Sequence, residues 1–128
     1  MQLAEKKSLF VSLVDESVAY WHRYLWHHRH PRTRLLHRIG SYVSLIGLCL
    51  LLAGQGWYFA PLGIAIGYMF AFAGHYIVEK NRPLTFKDPI RAGICNWVLF
   101  FYEIFFDVEA KLRTLESLKL NTDQMSSI

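Results

Sequence analysis

The chain has 128 residues, of which 53% are hydrophobic, and it carries a net charge of +4. Such an apolar composition is too high for a small soluble domain but ordinary for one compact helical membrane unit, and two cysteines without C-x-x-C spacing exclude a zinc ribbon or a disulfide framework. The basic charge does not indicate nucleic-acid binding, because the arginines and lysines flank long apolar stretches, where membrane topology and anionic headgroups account for them.

The first predicted element is an amphipathic helix over residues 8–28, where apolar and aromatic side chains recur at helical spacing. We expect this helix to lie along the membrane surface or against the helices that follow it, and Pro31 to end it. No cleavable signal is expected, because acidic residues interrupt the short apolar run near the N-terminus.

Residues 39–78 form a stretch of 40 residues without Asp, Glu, Lys or Arg, broken near its middle by Gly54, Gln55 and Gly56. Since about 20 apolar residues cross the hydrocarbon core of a bilayer, the stretch predicts two transmembrane helices joined by a tight turn. Basic residues flank both outer ends and the turn is uncharged, so the positive-inside bias places both outer ends in the cytoplasm.

A third apolar segment covers residues 94–106, and its 13 residues are few for an independent span. We expect a tilted, re-entrant or interfacial helix there, then an amphipathic tail over residues 112–120 and a frayed end over residues 121–128. The sequence therefore predicts an all-α fold in a single domain, residues 1–128. This domain is an integral membrane bundle built on an antiparallel transmembrane hairpin.

Two histidines, His37 and His75, each lie 19 residues from Gly56, on opposite arms of the hairpin. At 1.5 Å per residue, each imidazole is about 28 Å from the turn, so both are expected at one depth on the cytoplasmic face. Ionisable residues at the ends of apolar spans are costly without partners and usually mark a site. Glu79 lies one helical turn after His75, on the same face. Four more histidines precede the first arm: His22, His27, His28 and His30.

This clustering predicts a metal site. Nitrogen and oxygen ligands without a thiolate suit Fe(II), Mn or Zn, and two histidines with one carboxylate are the ligands of non-haem Fe(II) oxygenases. Two other interpretations stay open. One is a haem-binding membrane electron carrier with two axial histidines. The other is a non-enzymatic membrane adaptor or lipid-binding module whose histidines are only interfacial.

The residues around His75 also carry a resemblance to a known family. Residues 74–83 read Gly-His-Tyr-Ile-Val-Glu-Lys-Asn-Arg-Pro, and the upstream pattern Tyr-x3-His-x8-His-x2-Gly begins at Tyr24. Together they resemble the small membrane family of 2-hydroxy fatty acid dioxygenases, which contains the yeast α-oxidation enzyme of phytosphingosine breakdown and many short bacterial relatives. The resemblance covers roughly residues 20–95.

The resemblance implies an Fe(II)-dependent α-oxidation, in which a 2-hydroxy fatty acid and O2 give a fatty acid one carbon shorter. In this chemistry the hydroxyl and carboxylate oxygens of the substrate chelate the iron, and oxidation of the substrate makes a separate reductant unnecessary. Glu79 is implied as the catalytic carboxylate, either as a ligand or as a partner of a ligand. The iron ligands that the resemblance implies are His28, His37 and His75.

Three further residues are candidates for the same site. Lys80 and Arg82 could hold the substrate carboxylate while the acyl tail lies between the apolar arms, and His30, where relatives usually have asparagine, is a candidate extra ligand. The expected partners are a 2-hydroxy fatty acid, O2 and membrane lipids, with no nucleic acid; protein partners stay unknown. A bacterial inner membrane is favoured over the endoplasmic reticulum membrane, because the short chain shows no retrieval signal.

Overall fold

The computed structural model describes residues 2–126, and it describes side chains for residues 3–119. These residues form five α-helices and no strand, which confirms the predicted all-α class. The helices are α1 (Gln2–His27), α2 (Pro31–Leu52), α3 (Phe59–Ala73), α4 (Pro89–Phe105) and α5 (Val108–Ser126). A π-helical turn, Gly74–Glu79, extends α3, and a short 3-10 helix, Leu84–Phe86, precedes α4.

The break between α1 and α2 differs from the prediction. Pro31 does not end α1 but begins α2, where its fixed φ and missing N–H suit the first helical position. His30 caps α2, because its Nδ1 accepts a hydrogen bond from the Arg32 N–H at 3.1 Å. Helix α2 therefore starts before the apolar stretch, and His37 lies inside it rather than at its beginning.

Helices α2 and α3 form the predicted hairpin, and glycines bring their backbones into direct contact. A Cβ atom on Gly40 would lie 2.6 Å from the carbonyl oxygen of Gly67. A Cβ atom on Gly47 would lie 3.1 Å from the Cα of Gly63. Small residues allow this close approach in membrane helix pairs. The two arms are thus held by backbone packing, with no room for a larger side chain at these contacts.

The two arms have the dimensions of membrane spans. Pro31–Leu52 has 22 residues and Phe59–Glu79 has 21, and both are long and apolar enough to cross a membrane. The turn lies where it was predicted, and Gly54 ends α2 with a φ of 72°, a left-handed conformation that glycine adopts without strain. The third apolar segment is α4, whose 17 residues begin at Pro89, earlier than predicted.

Gly67→Ala is expected to destabilise the hairpin by about 1–3 kcal/mol, the usual cost of overpacking a close contact. The added Cβ would lie 2.5 Å from Ser44 Oγ and 2.7 Å from the carbonyl oxygen of Gly40. Thermal unfolding in detergent measures the loss. Gly93→Ala is the control, because a Cβ there meets no atom within 4 Å. Equal effects of the two substitutions would contradict the close contact.

A second packing unit lies beside the hairpin, where α1, α4 and α5 share an apolar core. Its buried members are Tyr24, Leu25, Leu84, Ala92, Cys95, Leu99, Val108 and Leu112. Leu112 belongs to the predicted amphipathic tail, so that segment packs onto the core through this side chain. The frayed end predicted for residues 121–128 falls outside the side chains that the structure describes and stays a prediction, as does the single domain.

Candidate metal centre

Three histidines meet where the end of α1, the start of α2 and the end of α3 come together. His28 follows α1, His37 lies in the second turn of α2, and His75 lies on the π-helical turn. One ligand nitrogen of each lies within 4.8 Å of the others. The ring centroids are 4.4 to 5.1 Å apart, with interplanar angles of 81° to 89°. The imidazoles therefore converge on one point from three nearly perpendicular directions.

Each of the three imidazoles has a carbonyl oxygen at its Nδ1. The distances are 2.7 Å from His28 to the Tyr24 backbone, 2.7 Å from His75 to the Asn81 amide and 3.0 Å from His37 to the Asn96 amide. Because a carbonyl oxygen only accepts, each Nδ1 carries the proton and donates it. Each Nε2 is then the unprotonated nitrogen with a free lone pair.

The two asparagine side chains are themselves oriented by hydrogen bonds. Asn81 Nδ2 donates to the carbonyl oxygen of His27 at 3.2 Å, so its Oδ1 must be the atom that faces His75. Asn96 Nδ2 donates to Ser41 Oγ at 3.1 Å. Partners of this kind fix the tautomer and orientation of histidines that bind metals.

The distance between two of these nitrogens suits a shared cation. His28 Nε2 and His37 Nε2 are 3.2 Å apart. With both protons on Nδ1, no hydrogen bond joins the two Nε2 atoms, and their lone pairs repel each other. Two imidazole nitrogens bound to one metal at about 2.0–2.1 Å, with an angle near 100° between the bonds, lie about 3.2 Å apart. The observed separation is therefore compatible with two nitrogens bound to one metal ion.

Burial keeps His28 in the form that binds metals. The residue is 1% exposed, and desolvation, with a contribution from His37 and His75, lowers its pKa well below the usual value. The ring of Tyr24 stacks on this imidazole with 4.0 Å between centroids. His28 is accordingly neutral at pH 7, as a metal ligand must be.

The π-helical turn positions His75. Gly74 packs against Thr33 of α2, since a Cβ on Gly74 would lie 3.0 Å from the Thr33 methyl group. Lys80 ends the turn with a φ of 55°, and the Asn81 N–H donates to the carbonyl oxygen of His75 at 3.0 Å. This closure brings the Asn81 side chain back onto the imidazole. π-Helical turns are rare in proteins overall, but those that occur are often found at functional sites.

Comparison with known families agrees with the resemblance seen in the sequence. The sequence model of the 2-hydroxy-palmitic acid dioxygenase Mpo1-like family matches residues 14–108. The chain belongs to this family. The matched range contains the three converging histidines and both of the asparagines that orient them. No match to a curated protein or to a solved structure was found.

Glu79 lies outside the group of three histidines. Its Oε1 accepts a hydrogen bond from the His30 N–H at 2.6 Å, and its Oε2 lies 3.9 Å from Arg29 Nε. The expectation that Glu79 joins His75 at a metal follows from helical spacing, in which residues four apart share a face. The carboxylate instead connects the end of the hairpin to the turn before α2.

The other predicted site residues also lie apart from the centre. His30 caps α2 through its Nδ1 and is not one of the histidines whose nitrogens converge, so the structure does not place it as an extra ligand. Arg82 lies over the ring of Phe86 at 5.3 Å, and Lys80 is exposed. A cavity of about 290 Å³ reaches the centre, and neither of these two cations is among the residues that line it.

Sequence reasoning missed the two asparagines. Asn81 lies in the motif around His75 and Asn96 lies in the third apolar segment, but neither is among the site residues predicted from the sequence. An amide side chain in an apolar helix needs a hydrogen-bond partner. Asn96 therefore indicated a polar contact, but the sequence did not show which residue it bonds to. The partner, His37, lies 59 residues away in the chain and is brought close only by the packing of α4 on α2.

Asn81→Ala is expected to lower the metal affinity about 10- to 100-fold, because His75 loses the acceptor that fixes its tautomer. Metal titration of the purified protein measures the change. Glu79→Gln is the matched control, since glutamine keeps an oxygen for the His30 N–H, and its metal affinity should stay near the wild-type value. A larger loss with Glu79→Gln than with Asn81→Ala would return the carboxylate to the metal centre.

Proposed function

We propose that the chain is an Fe(II)-dependent dioxygenase that converts 2-hydroxy fatty acids into fatty acids one carbon shorter. The observation that carries the proposal is the convergence of three histidine nitrogens within 4.8 Å of one another, with 3.2 Å between His28 Nε2 and His37 Nε2. The printed description of the family, a 2-hydroxy-palmitic acid dioxygenase, supports the substrate class. The iron would be held by the Nε2 atoms of His28, His37 and His75.

The overall reaction is R–CH(OH)–COOH + O2 → R–COOH + CO2 + H2O. The bond between the carboxyl carbon and the hydroxyl-bearing carbon breaks, and the hydroxyl-bearing carbon becomes the new carboxyl group. The substrate loses four electrons, which reduce O2, so no further reductant is needed. Bound iron would supply the redox chemistry and a chelation site for the hydroxyl and carboxylate oxygens of the substrate. Three histidine ligands leave coordination positions open for this purpose.

The residues of the chain have simpler tasks. Asn81 and Asn96 hold two imidazoles with their Nε2 atoms directed at the centre. Burial of His28 and His75, which are 1% and 2% exposed, keeps bulk water away from the ligands. Without water, each electrostatic contact with a bound anion is stronger. The centre is therefore organised before the substrate arrives.

The geometry does not favour the two other interpretations. A haem with two axial histidines needs a flat macrocycle between the imidazoles, whereas these three rings have centroids no more than 5.1 Å apart around one point. An interfacial histidine patch of an adaptor should be solvated, whereas the three rings are buried.

Metal analysis and O2 uptake test the proposal. Protein loaded with Fe(II) without air should hold one iron per chain and consume one O2 for each fatty acid formed from 2-hydroxypalmitate, without 2-oxoglutarate. Palmitate, which lacks the hydroxyl group, is the control substrate and should cause no uptake. A strong Soret band without O2 uptake would favour haem, and protein that retains no stoichiometric metal would favour the adaptor.

We also propose that the hairpin spans a membrane, with the metal centre at the cytoplasmic side of a bacterial inner membrane. Length and composition of the two arms support this, as do exposed apolar side chains such as Ile46, Leu62 and Met69. In a variant without the native cysteines, a cysteine at Gln55 should react with an impermeant label from outside and one at Lys87 only from the cytoplasm. Labelling of both cysteines from the same side would contradict the hairpin topology.

A further inference from the structure

The cavity that reaches the metal centre lies beside the hairpin rather than within it. Its volume is about 290 Å³, and α2, α3 and α4 all contribute to its wall. His37 and His75 line one end, and Ile64 lines the wall eleven residues before His75 along the chain. Eleven residues of helix correspond to about 16 Å. The cavity is thus an elongated space that runs from the histidines toward the middle of the hairpin.

Sequence reasoning placed the acyl tail between the two apolar arms, and the structure corrects this. The contact of Gly40 with Gly67 leaves no space there, because even a Cβ atom would overlap the facing backbone. The free volume lies instead on the side of the hairpin that faces α4. The α4 wall is formed by Ala92, Gly93, Asn96 and Trp97.

The chemistry of the cavity changes along its length. Near His37 the wall has polar groups, Ser41 Oγ and the Asn96 amide, which hydrogen-bond to each other. Farther from the histidines the α3 wall has Tyr68 and Ile64, and Ser44 on α2 has its hydroxyl bonded to backbone carbonyl oxygens. A carboxylate and hydroxyl at the metal end with an apolar tail at the far end match this order.

We propose that this lateral cavity holds the first part of the acyl tail of the substrate and that Gly93 leaves the room through which a long tail passes. The inference rests on the proposed function and adds the position of the tail. A Cβ on Gly93 would meet no atom within 4 Å, although the residue lines the cavity. The space that a side chain at this position would occupy is therefore part of the free volume.

The far part of a long tail would leave the cavity toward the lipid. Pockets that enclose a whole drug-sized ligand have roughly 300–1,000 Å³, so this cavity is at or below the lower limit. Ile64 and Tyr68 line it and are also 50% and 40% exposed. The wall is consequently open on the apolar side of the hairpin, where a fatty acid in a bilayer would enter.

Gly93→Leu adds a branched side chain where a Cβ meets no atom within 4 Å, and it tests the inference. The iron content should stay at the wild-type value, because Gly93 is not a ligand and does not contact one. The ratio of kcat/KM for 2-hydroxypalmitate to kcat/KM for 2-hydroxyhexanoate should fall about tenfold or more, as expected when a hydrophobic pocket loses room for several methylenes. Equal losses for both substrates, or no loss, would overturn the inference.

Ile94→Phe is the matched control, since it adds bulk to the neighbouring residue of α4, which is 59% exposed and does not line the cavity. Its chain-length ratio should equal that of the wild type. A fall as large as that of Gly93→Leu would attribute the effect to α4 in general and contradict the proposal.

A binding measurement separates this inference from the proposed activity. Trp97 lines the cavity. In a variant that keeps Trp97 as its one tryptophan, a fatty acid brominated near the middle of its chain should therefore quench the Trp97 fluorescence. Adding Gly93→Leu should remove the saturable quenching. If the wild type oxidises no 2-hydroxy acid, the proposed function fails, and this quenching still decides whether the cavity holds an acyl tail. Quenching that is absent, or that Gly93→Leu leaves unchanged, would refute the cavity assignment whatever the activity.

Discussion

Replacing His28, His37 or His75 by alanine is expected to remove the bound metal and lower activity by more than about 100-fold, the upper end of the effect for residues that only orient a ligand. Each imidazole supplies one of three converging nitrogens. With one removed, the remaining two nitrogens and open positions form a much weaker site. Metal analysis after gel filtration and O2 uptake measure the two losses separately.

His22→Ala and His27→Ala are the controls for this prediction. Neither residue belongs to the converging group, and His27 Nδ1 bonds to the backbone carbonyl of Arg23 at 3.0 Å. Both variants should keep their metal and most of their activity. If all five substitutions removed metal equally, the ion would belong to a diffuse histidine patch rather than to a defined centre.

The features that could be predicted from the sequence are those that depend only on distances along the chain. The length of residues 39–78 and the break at Gly54 define two helical arms whatever surrounds them. The equal distances of His37 and His75 from Gly56 then place the two imidazoles at the same level. The structure brings these rings to 5.1 Å between centroids.

The features that did not follow depend on packing between distant segments. The direction of the Glu79 carboxylate depends on its hydrogen bond with the backbone N–H of His30, 49 residues earlier in the chain. The orientation of His37 depends on Asn96, whose approach requires α4 to pack against α2. The ligand set itself came from resemblance, because helical periodicity alone does not select His28 among its neighbours.

Arg34→Met is expected to cause one of the largest losses of stability, about 3–5 kcal/mol, the usual effect of removing one partner of a buried ion pair. The Arg34 side chain is 6% exposed, its Nε lies 3.2 Å from Glu103 Oε1, and it also pairs with Glu109. Its Nη1 donates to the carbonyl oxygens of His28 and Arg29 at 3.0 and 2.7 Å. Chemical unfolding in detergent measures the loss.

The double variant Arg34→Met/Glu103→Gln separates the two roles of this guanidinium. It should regain part of the lost stability, because no unpaired carboxylate is left buried. Burial raises the pKa of Glu103 although Arg38 and Arg34 act to lower it, so losing Arg34 raises that pKa further. When the pKa of a carboxyl group is higher in the folded than in the unfolded state, the protein loses stability as the pH rises through that pKa.

The deficit of Arg34→Met relative to the wild type should therefore shrink as the pH falls from about 7 toward the pKa of Glu103, and the deficit of the double variant should not. The metal affinity should respond differently. Arg34 holds the carbonyl oxygen of His28 in place, and Glu103→Gln does not restore that hydrogen bond. Both variants should thus bind metal more weakly than the wild type. Full recovery of metal affinity in the double variant would mean that Arg34 acts only by neutralising Glu103, and that the position of His28 does not depend on it.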